Sequence, residues 1–257
     1  MQIRPLLLSA LLIGIAQVAT AQQSYPPFAD EEPLIAAVRA APTPENLRKL
    51  GEVRLKHAVI LRGLAGDDTG GPTFQRFLLY AESAAKLAPG NPHAWKVYGA
   101  GLLMVPEWPS TQTLAEEAFR QALAVGGSDA ASGIGLGQAL FNQHRFDAAR
   151  AQWERILRRY PLAAESDVLG PLNLAYILSG EVEAGVAFYD ELVGPEAWPA
   201  VGLAQGILIK HLLDRTGDDF WQARLDRLDD YFMNTVLSGE EAQTWVNLRA
   251  KWRKVAK

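Results

Sequence analysis

The feature that most restricts what this chain can fold into is that it repeats itself. Tyr98, Leu136 and Leu174 stand 38 residues apart, as do Gly99, Gly137 and Ala175, and Leu102, Leu140 and Leu178. An apolar residue, a small residue and a second apolar residue therefore recur at i, i+1 and i+4. On a helix the apolar pair lies one turn apart on one face, and the small residue lets a neighbouring backbone approach. A second motif alternates with the first. Ala115 and Phe119 are followed 34 residues on by Ala149 and Trp153, then 35 further on by Ala184 and Phe188. Here the alanine makes room and the ring, which can bury about 150–250 Å², fills the space between hairpins. Self-similarity at such periods marks a solenoid, in which a hairpin cannot bury its apolar face alone and stacks on the next.

The rest of the sequence agrees with helices. Ala, Leu, Arg and Glu are abundant and β-branched residues scarce, a composition that favours helix. No stretch alternates as a strand would. Pro26, Pro27 and Pro33 make residues 22–33 an entry segment, followed by a short helix over 33–40. Thr43 and Pro44 read as N-cap and first residue of a helix that should stop near Gly63. Residues 66–72 form the clearest loop, and a helix over 73–88 closes at Pro89-Gly90-Asn91-Pro92. Insertions lengthen the turn at 104–113 and the connection at 166–172, and the turn at Gly180 reads as slightly short. Trp198, Val201 and Gly202 open a fifth hairpin partnered by 218–233. A last helix over 239–255 reads as a cap.

The run Ala84-Ala85-Lys86-Leu87-Ala88-Pro89-Gly90-Asn91-Pro92-His93-Ala94-Trp95-Lys96-Val97-Tyr98-Gly99 resembles a junction between tetratricopeptide repeats. Gly137-Gln138-Ala139-Leu140 with Ala149, Trp153 and Pro161 resembles one complete unit. The resemblance covers about residues 44–214 and is strongest over 81–192. It implies an all-α, right-handed superhelical stack of about four to five antiparallel helix hairpins with a C-terminal capping helix. Residues 44–236 would form the repeat domain and 237–257 the cap, after an entry segment at 22–43. In this family the first helix of each hairpin lines a concave groove. The register then places Lys96, Ala100, Leu103 and Met104 there, followed by Ile134, Gln138, Phe141 and Asn142, then Leu172 and Tyr176. That lining suits a protein or peptide partner with apolar anchors. Some members clamp a peptide's terminal carboxylate with Lys and Asn, but Ala100 stands where the first such Asn belongs. Phe141 and Tyr176 have the alternative of packing between hairpins.

The N-terminus reads as an export signal. Arg4 precedes an apolar run over residues 6–16, and Ala19-Thr20-Ala21 supplies small residues for cleavage, giving a signal peptide over 1–21. The run is shorter than the roughly 20 residues that cross a bilayer, so no integral membrane segment is expected after cleavage. No cysteine occurs, so there is neither a disulfide framework nor a lipid attachment site. The chain is expected in the periplasm or outside the cell.

The formal charge of −4 argues against nucleic acid, which calls for basic patches. Arg249, Lys251, Arg253, Lys254 and Lys257 form a basic end that suits a helix C-terminus or, alternatively, an anionic surface or envelope polymer. Gly133-Ile134-Gly135-Leu136-Gly137 lacks the strand that a dinucleotide loop must follow. His57, His93, His144 and His211 share no metal-ligand spacing, and Asp67-Asp68 lacks the spaced oxygens of a calcium loop. No G-x-S-x-G elbow is present. No catalytic residue, cofactor or metal is expected, and the sequence reads as an envelope scaffold that binds protein, the lesser alternative being an enzyme subunit that uses the insertions as its site.

Overall fold

The protein is described as a computed structural model covering residues 27–105, 109–126, 129–161, 168–192, 199–234 and 239–253. The signal-peptide reading at 1–21 lies outside these residues. Among the described residues there are twelve helices and no strand. The chain divides into two compact units, residues 1–127 and 128–257. The first holds α1 (Glu32–Ala40), α2 (Pro44–Ala65), α3 (Pro72–Leu87), α4 (Pro92–Leu103) and α5 (Pro109–Gly126). The second holds α6 (Ala130–Asn142), α7 (Phe146–Arg159), α8 (Leu169–Ser179), α9 (Val182–Leu192), α10 (Pro199–Thr216), α11 (Asp219–Met233) and α12 (Gly239–Arg253).

Local chemistry sets these boundaries. Thr43 accepts from the Asn46 amide at 3.2 Å and Asn91 from the His93 amide at 3.0 Å, each followed by a proline, which has no N–H and so needs no acceptor. Asp129 and Asp218 cap α6 and α11 in the same way. Helix α2 runs two residues past Gly63, because Gly66 is the residue that takes a positive φ, 56°, and turns the chain.

Within each unit the helices pack in sequence order. α2 lies on α3, α4 on α5, α6 on α7 and α10 on α11, while α3–α4, α7–α8 and α9–α10 join successive hairpins. First helices also touch the next first helix, as α2–α4, α6–α8 and α8–α10. This arrangement is consistent with an α-solenoid.

The rings singled out by the repeat, Phe119, Trp153 and Phe188, are all buried. Their surroundings differ from the expectation. A methyl group on Gly99 would press on the Phe119 ring, and one on Gly137 would overlap the Trp153 indole. The small residue thus admits a ring from the second helix of its own hairpin rather than a neighbouring backbone. Trp153 Nε1 fixes its ring by donating to the Ile134 carbonyl at 3.1 Å.

The 38-residue register holds from α4 to α6 and fails from α6 to α8. Leu174 and Leu178, which it aligns with the buried Leu136 and Leu140, are 45% and 50% exposed. Burial follows a period of 36 instead. Leu136 and Leu140 correspond to Leu172 and Tyr176, then to Leu208 and Leu212, all of them core residues. The second helices obey the same period. Ala149 and Trp153 correspond to Gly185 and Tyr189, not to Ala184 and Phe188, and Ala184 is exposed. The turns agree. His144, with φ 59°, corresponds to Gly180, with φ 77°. Arg145 N–H donates to Leu140 O at 3.1 Å just as Glu181 N–H donates to Tyr176 O at 2.9 Å. The turn at Gly180 is therefore not short.

Truncating a core leucine removes buried contacts, whereas truncating an exposed one does not. Leu172→Ala is expected to lower the urea-unfolding free energy by about 2–5 kcal/mol and Leu174→Ala to change it by less than about 0.5 kcal/mol. The reverse order would restore the 38-residue register.

Candidate functional site

The expected groove residues meet different fates. In the first unit Lys96, Leu103 and Met104 are half-buried on and just beyond α4, and Ala100 is exposed. In the second unit Ile134, Gln138, Phe141 and Asn142 are half-buried on α6. Gln138 Nε2 donates to Asn142 Oδ1 at 2.8 Å across one turn. The Phe141 ring meets Phe146 at 5.3 Å and Trp153 at 5.8 Å, so part of it packs inside its own hairpin. Leu172 and Tyr176 have no exposed surface. They belong to the core, and the 38-residue misalignment is what placed them in the groove.

The 36-residue register names their replacements. Gln138 and Asn142 correspond to Leu174 and Leu178 on α8, then to Lys210 and Asp214 on α10. Three successive first helices of this unit thus carry an i, i+4 pair at equivalent positions. The first is a hydrogen-bonded amide pair, the second two exposed leucines, and the third a Lys210–Asp214 ion pair. Leu174 and Leu178 lie one turn apart. They form an apolar step between two polar ones.

Buried polar contacts hold these helices under that surface. Tyr176 Oη donates to Glu154 Oε1 on α7 at 2.7 Å. Tyr189 Oη donates to Asn173 Oδ1 at 2.7 Å, and Asn173 Nδ2 passes the link to Ala204 O on α10 at 2.9 Å. Gln205 continues it from α10 to the Val186 carbonyl and to Asp190. Hydrogen bonds as well as apolar burial thus join α8 directly to α10 and, through Glu154, to α7.

A second arrangement lies in the first unit, and sequence reasoning missed it. Glu31, with no exposed surface, sits between Arg54 (Nε to Oε2, 3.4 Å) and His57 (Nδ1 to Oε1, 2.6 Å). His57 Nε2 faces Asp30 Oδ1 at 3.1 Å. A carboxylate therefore stands at each ring nitrogen of His57. Phe28 stacks on His57 at 4.0 Å and meets Tyr80 edge-on at 5.7 Å, and the Arg76 guanidinium lies 4.4 Å over Phe28. His57 is thus a buried partner of two carboxylates. No motif connects Glu31 and His57 in sequence, although the i, i+3 spacing of Arg54 and His57 does put them on one helix face.

Other candidates take structural places. A side chain at Gly133 or Gly137 would collide with Ile156 or Trp153, so the glycine run serves helix packing. Arg249 at the basic end pairs with the buried Asp229 at 2.8 Å, and Trp245 is buried against Phe232 at 4.3 Å, which docks α12 on α11. Lys254 and Lys257 lie outside the described residues. Among the described residues no three His, Asp or Glu side chains converge as metal ligands, and no helix is long and apolar enough to cross a membrane. No protein-family model matches the sequence, and comparison with curated proteins finds no relative.

Burial raises the phenols of Tyr98, Tyr176 and Tyr189 above their ordinary value, and for Tyr176 the hydrogen bond to Glu154 adds to it. A raised folded value means that stability is present below the unfolded value of about 10 and is lost as pH climbs past it. Alkaline titration should show phenolate absorbance of these three lagging and appearing together with loss of helical circular dichroism. All seven tyrosines ionising together with the helices intact would contradict this.

Proposed function

We propose that this chain is a non-catalytic scaffold of the bacterial cell envelope, built as a right-handed tetratricopeptide-like superhelix, that binds a protein segment. The binding surface is the line of first helices α6, α8 and α10. The observation that carries the reading is the exposure of Leu174 and Leu178 on a helix whose Leu169, Leu172, Ala175 and Tyr176 are buried and whose Ile177 is half-buried. Two leucines one turn apart offer a partner apolar surface to bury. The Gln138–Asn142 and Lys210–Asp214 pairs on either side supply hydrogen-bonding groups at the rim. An apolar centre with a polar rim is the usual composition of a protein-binding patch.

The partner that fits is an amphipathic helix or extended segment with apolar residues matched to one helical turn. Its polar flanks would meet the amides of α6 on one side and the ion pair of α10 on the other. The reading needs no cofactor, metal or nucleic acid. An envelope location follows from the signal-like N-terminus, and an anionic surface or wall polymer reached by Lys251 and the residues after it is the weaker reading, since Arg249 is held by Asp229.

A photo-crosslinking residue at 174 or 178 is expected to give one discrete protein adduct in the native host, absent when the probe sits at the more exposed Leu64 or Val246. Purified, that partner should bind Leu174→Asp roughly tenfold or more weakly while the variant keeps its melting temperature. No adduct at 174 and 178, or undiminished binding by a folded Leu174→Asp, would overturn the assignment.

A further inference from the structure

We infer that the α2–α3 hairpin is a recognition site for an acidic, phenylalanine-led turn, filled here in cis by residues 28–31 as an intramolecular ligand that a partner protein's turn of the same chemistry displaces. This inference is independent of the surface on α6, α8 and α10.

The site has the construction of a short-motif receptor. Arg54 and His57 stand at i, i+3 on α2, and Arg76, Tyr80 and Ser83 at i, i+4, i+7 on α3, so each helix contributes one face. The receptor is pre-organised by its own contacts. Arg54 Nη1 donates to Ser83 Oγ at 2.5 Å and its guanidinium lies 5.8 Å from the Tyr80 ring centre. Its polar groups match the occupant: Arg54 and His57 face Glu31, His57 also faces Asp30, and Arg76 covers the Phe28 ring. The Glu31 carboxylate has no exposed surface: Oε1 lies 2.6 Å from His57 Nδ1, and Oε2 lies 3.4 Å from Arg54 Nε as an ion pair without a hydrogen bond.

The occupant has the construction of a ligand. Residues 28–31 close on themselves through the Glu31 N–H, which donates to Phe28 O at 2.9 Å. Their recorded contacts with α2 and α3 are made by side chains: the Phe28 ring, the Asp30 carboxylate and the Glu31 carboxylate. No backbone-to-backbone hydrogen bond ties this turn to the hairpin among the described residues. A ring under a guanidinium and over an imidazole, with two carboxylates beside it, is an arrangement that another chain can present equally well. The turn is tethered through α1, which raises its local concentration and keeps the site closed until a competitor is abundant.

The test uses the full chain carrying Phe28→Ala and Glu31→Ala, which empties the site, and a labelled peptide of residues 27–32. The peptide is expected to bind this variant roughly tenfold or more tightly than wild type, and to lose as much when its own Glu31 is replaced by Ala. Circular dichroism establishes that the variant is folded. A second measurement serves if it is not: wild type with Ala29→Cys as its sole thiol carries a nitroxide, and excess peptide should shift the spectrum from immobilised to mobile. Absence of peptide binding to the folded variant, equal binding to both proteins, or an unchanged nitroxide spectrum under excess peptide would overturn the proposal.

Discussion

The fold depends on a ring from the second helix of a hairpin seated against the first helix, opposite a residue that leaves room for it. Trp153 over Gly137 is the clearest instance, where even a methyl group would collide. One hairpin later the pair is Tyr189 and Asn173. The phenol is smaller than an indole, so the opposing residue can be larger and can hydrogen-bond the hydroxyl. Burying such a ring contributes about 3 kcal/mol relative to leaving it in water, and the polar handle on each ring finds a partner, Ile134 O or Asn173 Oδ1. This contact fixes the rotation of the first helix about its axis. That rotation then decides which of its leucines enter the core and which face out.

This dependence explains what was legible in the sequence. Helix starts were readable because Thr43-Pro44 and Asn91-Pro92 are local chemistry. The hairpins over 92–192 were readable from periodicity, which fades beyond Leu192, and the one before them from its cap and loop signals. The rotation of α8 was not, because α8 carries Leu169, Leu172, Leu174 and Leu178, with Ala175 and Tyr176 between them. Matching leucine to leucine selects a shift of 38. The correct shift of 36 pairs unlike residues, Leu140 with Tyr176 and Gly137 with Asn173, whose equivalence lies in shape and in the partner across the hairpin. Two signals did point to 36: the small-to-aromatic spacing of Gly185 and Tyr189, and the Gly180 turn standing where His144 stood. The buried Glu31–His57–Arg54 cluster was illegible for another reason. Its members come from separate segments, and pairing between them depends on tertiary packing alone.

The two candidate binding places differ in physics. The surface on α6, α8 and α10 is apolar at its centre and open, underlain by the Tyr176–Glu154 and Tyr189–Asn173–Ala204 links. The pocket on α2 and α3 is charged and already filled. In the scaffold proposed above, the open apolar step would hold one partner constitutively and the self-occupied acidic-turn site would admit another by competition. Both places sit on first and second helices of ordinary hairpins, so neither requires chemistry beyond packing and ion pairing.

The central claim is the rotation of α8, and chemical accessibility measures it most directly. The chain has no cysteine, so single substitutions along 170–178 give one thiol each. The account predicts fast maleimide reaction at 174 and 178, with 172, 173, 175 and 176 protected by roughly 100-fold. Fast labelling at 172 and 176 with 174 and 178 protected would contradict it.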